Sequence, residues 1–221
     1  MRMAELSERS GIPTATIKYY LREGLLRPGR RVTATQSAYD DEHLRRLRLV
    51  RALIQVGRMP VATAREVLTA IEDESIDHHM RLGAAIGALP NAGAVDSSFD
   101  AGEPDDATRS ARRRAEELFE ELGWTHAAER GASEGAYRVL VGAIAGLSRT
   151  GYPCELADLL PYGRLAGQLG VTDIDMVERY GDPYEQVEAA VALTVLYEPV
   201  LLSLRRLAEA EESNRRYSRR N

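Results

Sequence analysis

Near the N-terminus, Gly11-Ile12-Pro13 separates two short helix-favouring stretches, and this break limits the fold more than any other feature of the chain. Pro13 restricts the residue before it and suits the first turn of a helix, so one helix must stop and another begin within three residues. Residues 3–10 form a helix with Met3 and Leu6 turned inward. Residues 14–23 form a second, with Ile17 and Leu21 at i, i+4 on its core face. Gly24 then stands where a left-handed residue can end that helix. The pattern is helix, tight turn, helix.

Residues 25–39 change character. Pro28-Gly29 mark a turn, Val32, Thr33 and Thr35 favour extended backbone, and Arg27, Arg30 and Arg31 surround the turn. These features predict a small two-stranded wing with a basic tip. Asp40 and Asp41 favour a helix start, and Leu44, Leu47, Val50 and Ile54 continue a helical stripe towards Gly57. Pro60 opens another helix over 61–72, burying Ala64, Val67, Leu68 and Ile71. Charge sets this region apart. Residues 1–65 hold 13 Lys+Arg against 6 Asp+Glu, whereas residues 66–221 hold 16 against 28. A basic head on an acidic body points to a polyanionic partner for the head alone. Lys18 is the one lysine among 29 basic residues, so arginine richness by itself carries little weight.

Beyond residue 75 the expected organisation is a short helix and flexible acidic linker over 76–107, an all-helical unit over 108–213, and a frayed basic tail over 214–221. Residues 90–107 combine Pro, Gly, Asp and Glu with almost no apolar period. Helices are expected at 108–122, 132–149, 155–169, 173–180 and 183–213. The last is apolar around most of its circumference over 187–204, so it must be buried on several sides, and Pro199 is expected to kink it. No run is read as reaching the ~20 apolar residues of a membrane helix, and MRMAELSERSG lacks a secretory core, so the chain is expected in the cytoplasm without a membrane partner. Cys154 is the single cysteine, which excludes a disulfide within the chain and a two-thiolate metal site. His78 and His79 point about 100° apart on a helix and cannot chelate from one face.

The stretches Ile17-Lys18-Tyr19-Tyr20 and Glu23-Gly24-Leu25-Leu26, with Pro28 and Arg30-Arg31, resemble the winged helix-turn-helix of MerR-type bacterial transcription regulators. The likeness continues from Tyr39 through Leu47 and covers residues 1–72. It implies a mainly α fold, with a winged helix-turn-helix domain over 1–75 and a two-stranded wing, followed by an all-α domain. Thr14, Thr16 and Lys18 would face bases or phosphates in the major groove. Tyr19 or Tyr20 would donate its hydroxyl to phosphate, and Arg27, Arg30, Arg31 and Tyr39 would extend the surface along the wing. The resemblance further implies a homodimer on a pseudo-palindromic promoter site, action on RNA polymerase through DNA distortion, and no cofactor. Departures are Ala15 where the family commonly has arginine, Gln36-Ser37 in place of a Tyr-Arg pair, and Pro60 in place of a capping serine. The family's long antiparallel dimer helix is also shortened to residues 76–89, which shifts the expected dimer contact to 184–207.

The C-terminal unit is read as the sensor. Trp124, Tyr137, Tyr152, Tyr162, Tyr180, Tyr184 and Tyr197 are candidate pocket residues for a small-molecule effector, with Glu155, Glu178, Glu188 or Glu198 available to a cationic one. The sequence offers no nucleophile elbow, phosphate-cradling loop or His-Glu-x-x-His pattern, so no catalytic residue is assigned. Two other readings fit the same layout: a sequestering protein that controls its own synthesis, and an architectural DNA binder without a ligand.

Overall fold

The computed structural model describes residues 1–33, 36–90, 104–130 and 135–218. Helix α1 (Met3–Ser10) ends at Gly11, whose φ of 67° places it in the left-handed region. Ser7 Oγ donates to the Ile12 carbonyl at 2.6 Å, and the Ile12 amide donates to Ser10 Oγ, so serines satisfy the turn's backbone. Pro13 then starts α2 (Thr14–Arg22), its carbonyl accepting from Thr16 and Ile17. Gly24, at φ 71°, reverses the chain, and the amides of Leu25 and Leu26 both reach the Tyr20 carbonyl. Leu25 and Leu26 are thereby buried beneath the wing.

The wing is an antiparallel pair, β1 (Arg30–Arg31) and β2 (Ser37–Ala38), with Arg30 opposite Ala38 and Arg31 opposite Ser37. Gly29 makes its closing approach possible, because a Cβ there would lie 2.6 Å from the Ala38 carbonyl oxygen and 2.8 Å from the Tyr39 ring. The expectation of extended backbone at Thr35 falls outside the described residues. Asp40 caps α3 (Asp41–Arg51) by accepting from the His43 amide. A π-wound turn, Ala52–Val56, extends α3 to Gly57. After Pro60 come α4 (Val61–Ile71) and α5 (His78–Gly87), the latter capped by Asp77. The head's core gathers Leu6, Ile17, Leu25, Leu47, Leu53, Val67, Leu68 and Ile71, all at most 2% exposed.

Helix α10 (Pro183–Tyr217) completes that core. Asp182 caps it, and Val187, Ala190, Val191 and Val195 are buried. It packs on α5, on the π turn and on α4. At Gly57 a Cβ would meet Val195 Cγ1 at 2.8 Å, so glycine sets how close the helix can come. The compact units are therefore Met1–Ala88 with Tyr180–Asn221, and Leu89–Arg179. This groups the last helix with the head instead of within a 108–213 unit as the sequence had suggested. An 18-residue window of α10 reaches a mean hydropathy of 1.7, long and apolar enough by composition to cross a bilayer. That corrects the reading that no run approaches such a length; a third of the window is buried within the protein.

The second unit is helical throughout its described residues: α6 (Asp106–Leu122), α7 (Thr125–Arg130), α8 (Gly135–Arg149) and α9 (Leu156–Val177). Ala111 and Ala115 of α6 let α8 approach, and Val141, Ile144, Ala145 and Cys154 fill the contact. Asp105 caps α6 through the Thr108 amide and receives Arg149 on both carboxylate oxygens. Those bonds hold its carboxyl at about 2, led by the Thr108 contacts. Three features of the helix layout differ from the sequence expectation. Residues 155–169 and 173–180 merge into α9, because neither Pro161 nor Gly170 interrupts a helix whose inner face packs on α6. Helix α7 was not anticipated. Helix α10 runs on through Pro199 to Tyr217, so 214–217 are helical, and Arg215 and Arg216 pair with Glu212 one turn back. Arg219, Arg220 and most of the 90–107 linker lie outside the described residues, as do 132–134.

Leu53 is fully buried, and its carbonyl accepts from Met59. Leu53→Ala is expected to cost about 2–5 kcal/mol in urea unfolding, with the loss seen by probes in both the head and the first half of α10.

Candidate nucleic-acid interface

Helix α2 is divided by its period. Ile17 and Tyr20 enter the core, whereas Thr14, Lys18 and Arg22, each four residues apart, form an exposed stripe. Tyr19 is exposed beside that stripe, with the Arg22 guanidinium 5.9 Å from its ring centroid. Thr16 is half-buried at the edge. Arg30 and Arg31 are exposed on β1 and form no ion pair among the described residues. Thr14, Lys18, Tyr19, Arg30 and Arg31 thus stand where their polar groups meet solvent.

Three other expected contacts are placed elsewhere. Tyr20 is 4% exposed, and burial pushes its phenol above the usual range. It is the core member of the Tyr19-Tyr20 pair. Tyr39 is 8% exposed, stacked edge-on against His43 at 5.2 Å, with its amide on the Met1 carbonyl. It anchors the end of the wing. Arg27 pairs with Glu72 at 3.2 Å and Glu42 at 3.8 Å, and the Glu72 hydrogen bond raises its pKa. A guanidinium occupied in that way is a strut between the wing's root and the end of α4. Arg22, exposed on the α2 stripe, was missed by the sequence reading, although its i, i+4 spacing from Lys18 is visible there.

Beneath the wing's root lies a buried charge network that the sequence reading did not assemble. Arg46, 7% exposed, donates from Nε to the Leu25 carbonyl and from Nη2 to Glu72. Its Nη1 is 3.7 Å from Glu188 Oε1, and Arg45 pairs with Glu185 one turn earlier on α10. Burial pushes the Glu188 carboxyl up, against the opposing pull of Arg46 and Arg45. Arg46, Glu188, Tyr184, His43, Arg27 and Glu72 line a cavity of about 130 Å³.

The candidate effector residues are divided between the two compact units. Trp124 and Tyr137 both pack on Phe119, at 6.0 and 6.2 Å between centroids. Trp124 also lines a surface groove with Ala166, Gly167, Val171 and Ile174. Tyr152 and Tyr162 are 66% and 60% exposed. Tyr180, Tyr184 and Tyr197 belong to the other compact unit, where Tyr184 faces the 130 Å³ cavity. Tyr180, Tyr184 and Tyr197 thus go with the head and Trp124, Tyr137, Tyr152 and Tyr162 with the second unit. Among the described residues, no group of three or more His, Cys, Asp or Glu is arranged to hold a metal ion.

Residues 1–71 match the family model described as MerR HTH family regulatory protein. The crystal structure of SCO5550 from Streptomyces coelicolor A3(2), a protein proposed to be a transcriptional regulator, is similar over 98% of both chains. The two share 49% sequence identity with a TM-score of 0.81. No curated protein sequence matches the chain.

Two measurements separate the roles of these side chains. The Arg30→Ala/Arg31→Ala variant is expected to lower the slope of log affinity for DNA against log salt by about 2. Arg27→Ala should leave that slope unchanged and lower the melting temperature. Glu188 is faced by Arg46, Arg45 and Glu42 of α3, Glu72 after α4, Arg27 of the wing root, and Tyr184 and Glu185 of its own helix. Its folded-state pKa is raised, so the stability from its neutral form is complete below the ordinary value of 4.5 and is lost as pH rises through the raised value. Glu188→Gln should therefore unfold at a higher temperature than wild type near neutral pH, with the gap closing in acid.

Proposed function

Because the chain belongs to the MerR HTH family of DNA-binding transcription regulators, we propose that it acts as a homodimer on a pseudo-palindromic promoter site and responds to a small molecule. The observation that carries the DNA reading is the exposed stripe Thr14, Lys18, Arg22 with Tyr19, continued by Arg30 and Arg31 of the wing. A helix presenting short polar groups and a cation suits the major groove, and wing arginines suit the flanking backbone or minor groove. The +7 balance of residues 1–65 supports the same assignment.

The second half of α10 supports the dimer. Its first half is buried in the head, but Leu196, Val200, Leu202, Leu204 and Leu207 are 37–66% exposed. An apolar helix of this length in a DNA-binding regulator is suited to a second copy of the same chain, which would carry two recognition helices to the two half-sites. The dimer contact is accordingly narrowed from 184–207 to the part of α10 beyond Val195. On this reading the regulator works in the cytoplasm, and its contact with RNA polymerase is made through the promoter it holds. Bending and untwisting of a promoter with over-spaced elements is the family's way of activating. Steric repression relieved by ligand is the alternative, and it shows as inhibition alone in run-off transcription with every effector tried.

Leu204→Asp tests the dimer. It should convert the protein from dimer to monomer in light scattering and weaken binding to the full palindrome by roughly 10²-fold or more, with little change at an isolated half-site. A variant that remains a dimer of unchanged affinity contradicts this assembly.

A further inference from the structure

The cavity under the wing's root is left polar and unsatisfied by the fold. Its volume is about 130 Å³, whereas one ordered water needs roughly 10–15 Å³ on the same measure. It has room for a molecule of several heavy atoms. Two nitrogens on its wall are buried without a hydrogen bond among the described residues, beside a carboxylate whose ion pair is long. The Glu188 carboxylate, on a residue 7% exposed, accepts no hydrogen bond, and its nearest cation is Arg46 at 3.7 Å. Arg46 Nη1 makes no hydrogen bond, although Nε and Nη2 of the same guanidinium are both used. His43 Nδ1 lies 2.6 Å from the Asp40 carboxylate and 3.4 Å from the Asp40 amide nitrogen, while its buried Nε2 makes no hydrogen bond. Buried polar groups in this state cost free energy, and native proteins satisfy nearly all of theirs.

Charge and geometry narrow what can satisfy them. Glu42, Glu72 and Glu188 face Arg27 and Arg46, leaving one negative charge in excess when His43 is neutral. An anion is therefore repelled. Glu42 and Glu72 are already paired with guanidiniums, and the one remaining carboxylate is too few oxygen ligands for a divalent cation. An ammonium group fits: its N–H donors serve Glu188, and its charge cancels the excess. The 3.7 Å between Glu188 Oε1 and Arg46 Nη1 suits two polar atoms on neighbouring carbons, the second an oxygen that accepts from Nη1. Leu26 and the Tyr184 ring offer apolar surface to those carbons.

We propose that this cavity binds a small organic ammonium ion with an adjacent oxygen, of the amino-alcohol class, through Glu188 and Arg46, with His43 on its wall. The site lies within the DNA-binding unit. Arg46 and Arg27 share Glu72, and Arg27 braces the start of the wing, so occupancy is felt where the wing leaves α2. For this regulatory meaning the site rests on the regulator reading above, of which it names the effector class.

Ethanolamine is the probe, added to the full chain at saturating concentration near neutral pH while thermal unfolding is followed. Ethylene glycol, which lacks the ammonium group, and propylamine, which lacks the oxygen, are run beside it. Ethanolamine is expected to raise the melting temperature by roughly 5 °C, propylamine by less, and ethylene glycol not at all. Glu188→Gln should lose the shift. No shift with ethanolamine, or an equal shift with ethylene glycol or in Glu188→Gln, overturns the proposal and leaves a water-filled cavity. DNA affinity in ligand-free buffer is measured on the same protein. DNA binding without an ethanolamine shift overturns the ligand site alone, whereas absence of DNA binding overturns the regulator reading.

Discussion

A single buried guanidinium holds together the parts of the head that sequence keeps far apart. Arg46 reaches the Leu25 carbonyl at the exit of α2, the Glu72 carboxylate at the end of α4, and the neighbourhood of Glu188 on α10. Each contact closes a different seam: third helix to the exit of α2, third helix to fourth, third helix to last. Arginine suits this position because its planar fork offers donors in several directions while its charge persists at any physiological pH. Burial of Glu188 raises its pKa despite the pull of Arg46 and Arg45. Removing Arg46 would leave the buried Glu188 without its nearest cation and Glu72 with Arg27 alone, which is why breaking such a network costs far more than its presence contributes.

Around that centre the head's arginines fall into two groups. Arg27 and Arg46 are bound by carboxylates and fix the wing's root. Arg30 and Arg31 are exposed on the strand that follows, and Arg22 lies over Tyr19 on the recognition helix. Arg46, buried, and Arg27, exposed but paired, hold the root of the strand from which Arg30 and Arg31 project. A change in the paired set is expected to alter where the wing stands while leaving Arg22, Arg30 and Arg31 in place.

Local signals in the sequence were enough to lay out the first 72 residues. Gly11, Pro13, Gly24, the Asp40 cap and Pro60 each punctuate an element where the structure does, whereas Pro28-Gly29 form no turn and stand in irregular backbone just ahead of β1. What they could not give was the destination of side chains. Tyr19 and Tyr20 are adjacent and chemically identical, and only the position of α2 on the core decides that Tyr20 is buried and Tyr19 exposed. Arg27 reads as a DNA contact until Glu72, 45 positions later, is brought beside it. The last helix was recognised as needing burial on several sides, but its partner was misjudged. Nothing local in Val187-Glu188-Ala189-Ala190-Val191 says that α5, α4 and the π turn supply the other face. For the same reason the tyrosines scattered from 137 to 197 looked like one pocket and are distributed over two units.

Native-state hydrogen exchange on the full chain tests most directly whether α10 is part of the DNA-binding unit. If Arg46 and the valines of α10 close the head, amides of 187–195 should open with the same free energy and denaturant dependence as those of 44–53 and 64–71. Exchange of 187–195 at markedly lower free energy, with the head still protected, would contradict that account and make α10 an appendage on an already complete fold.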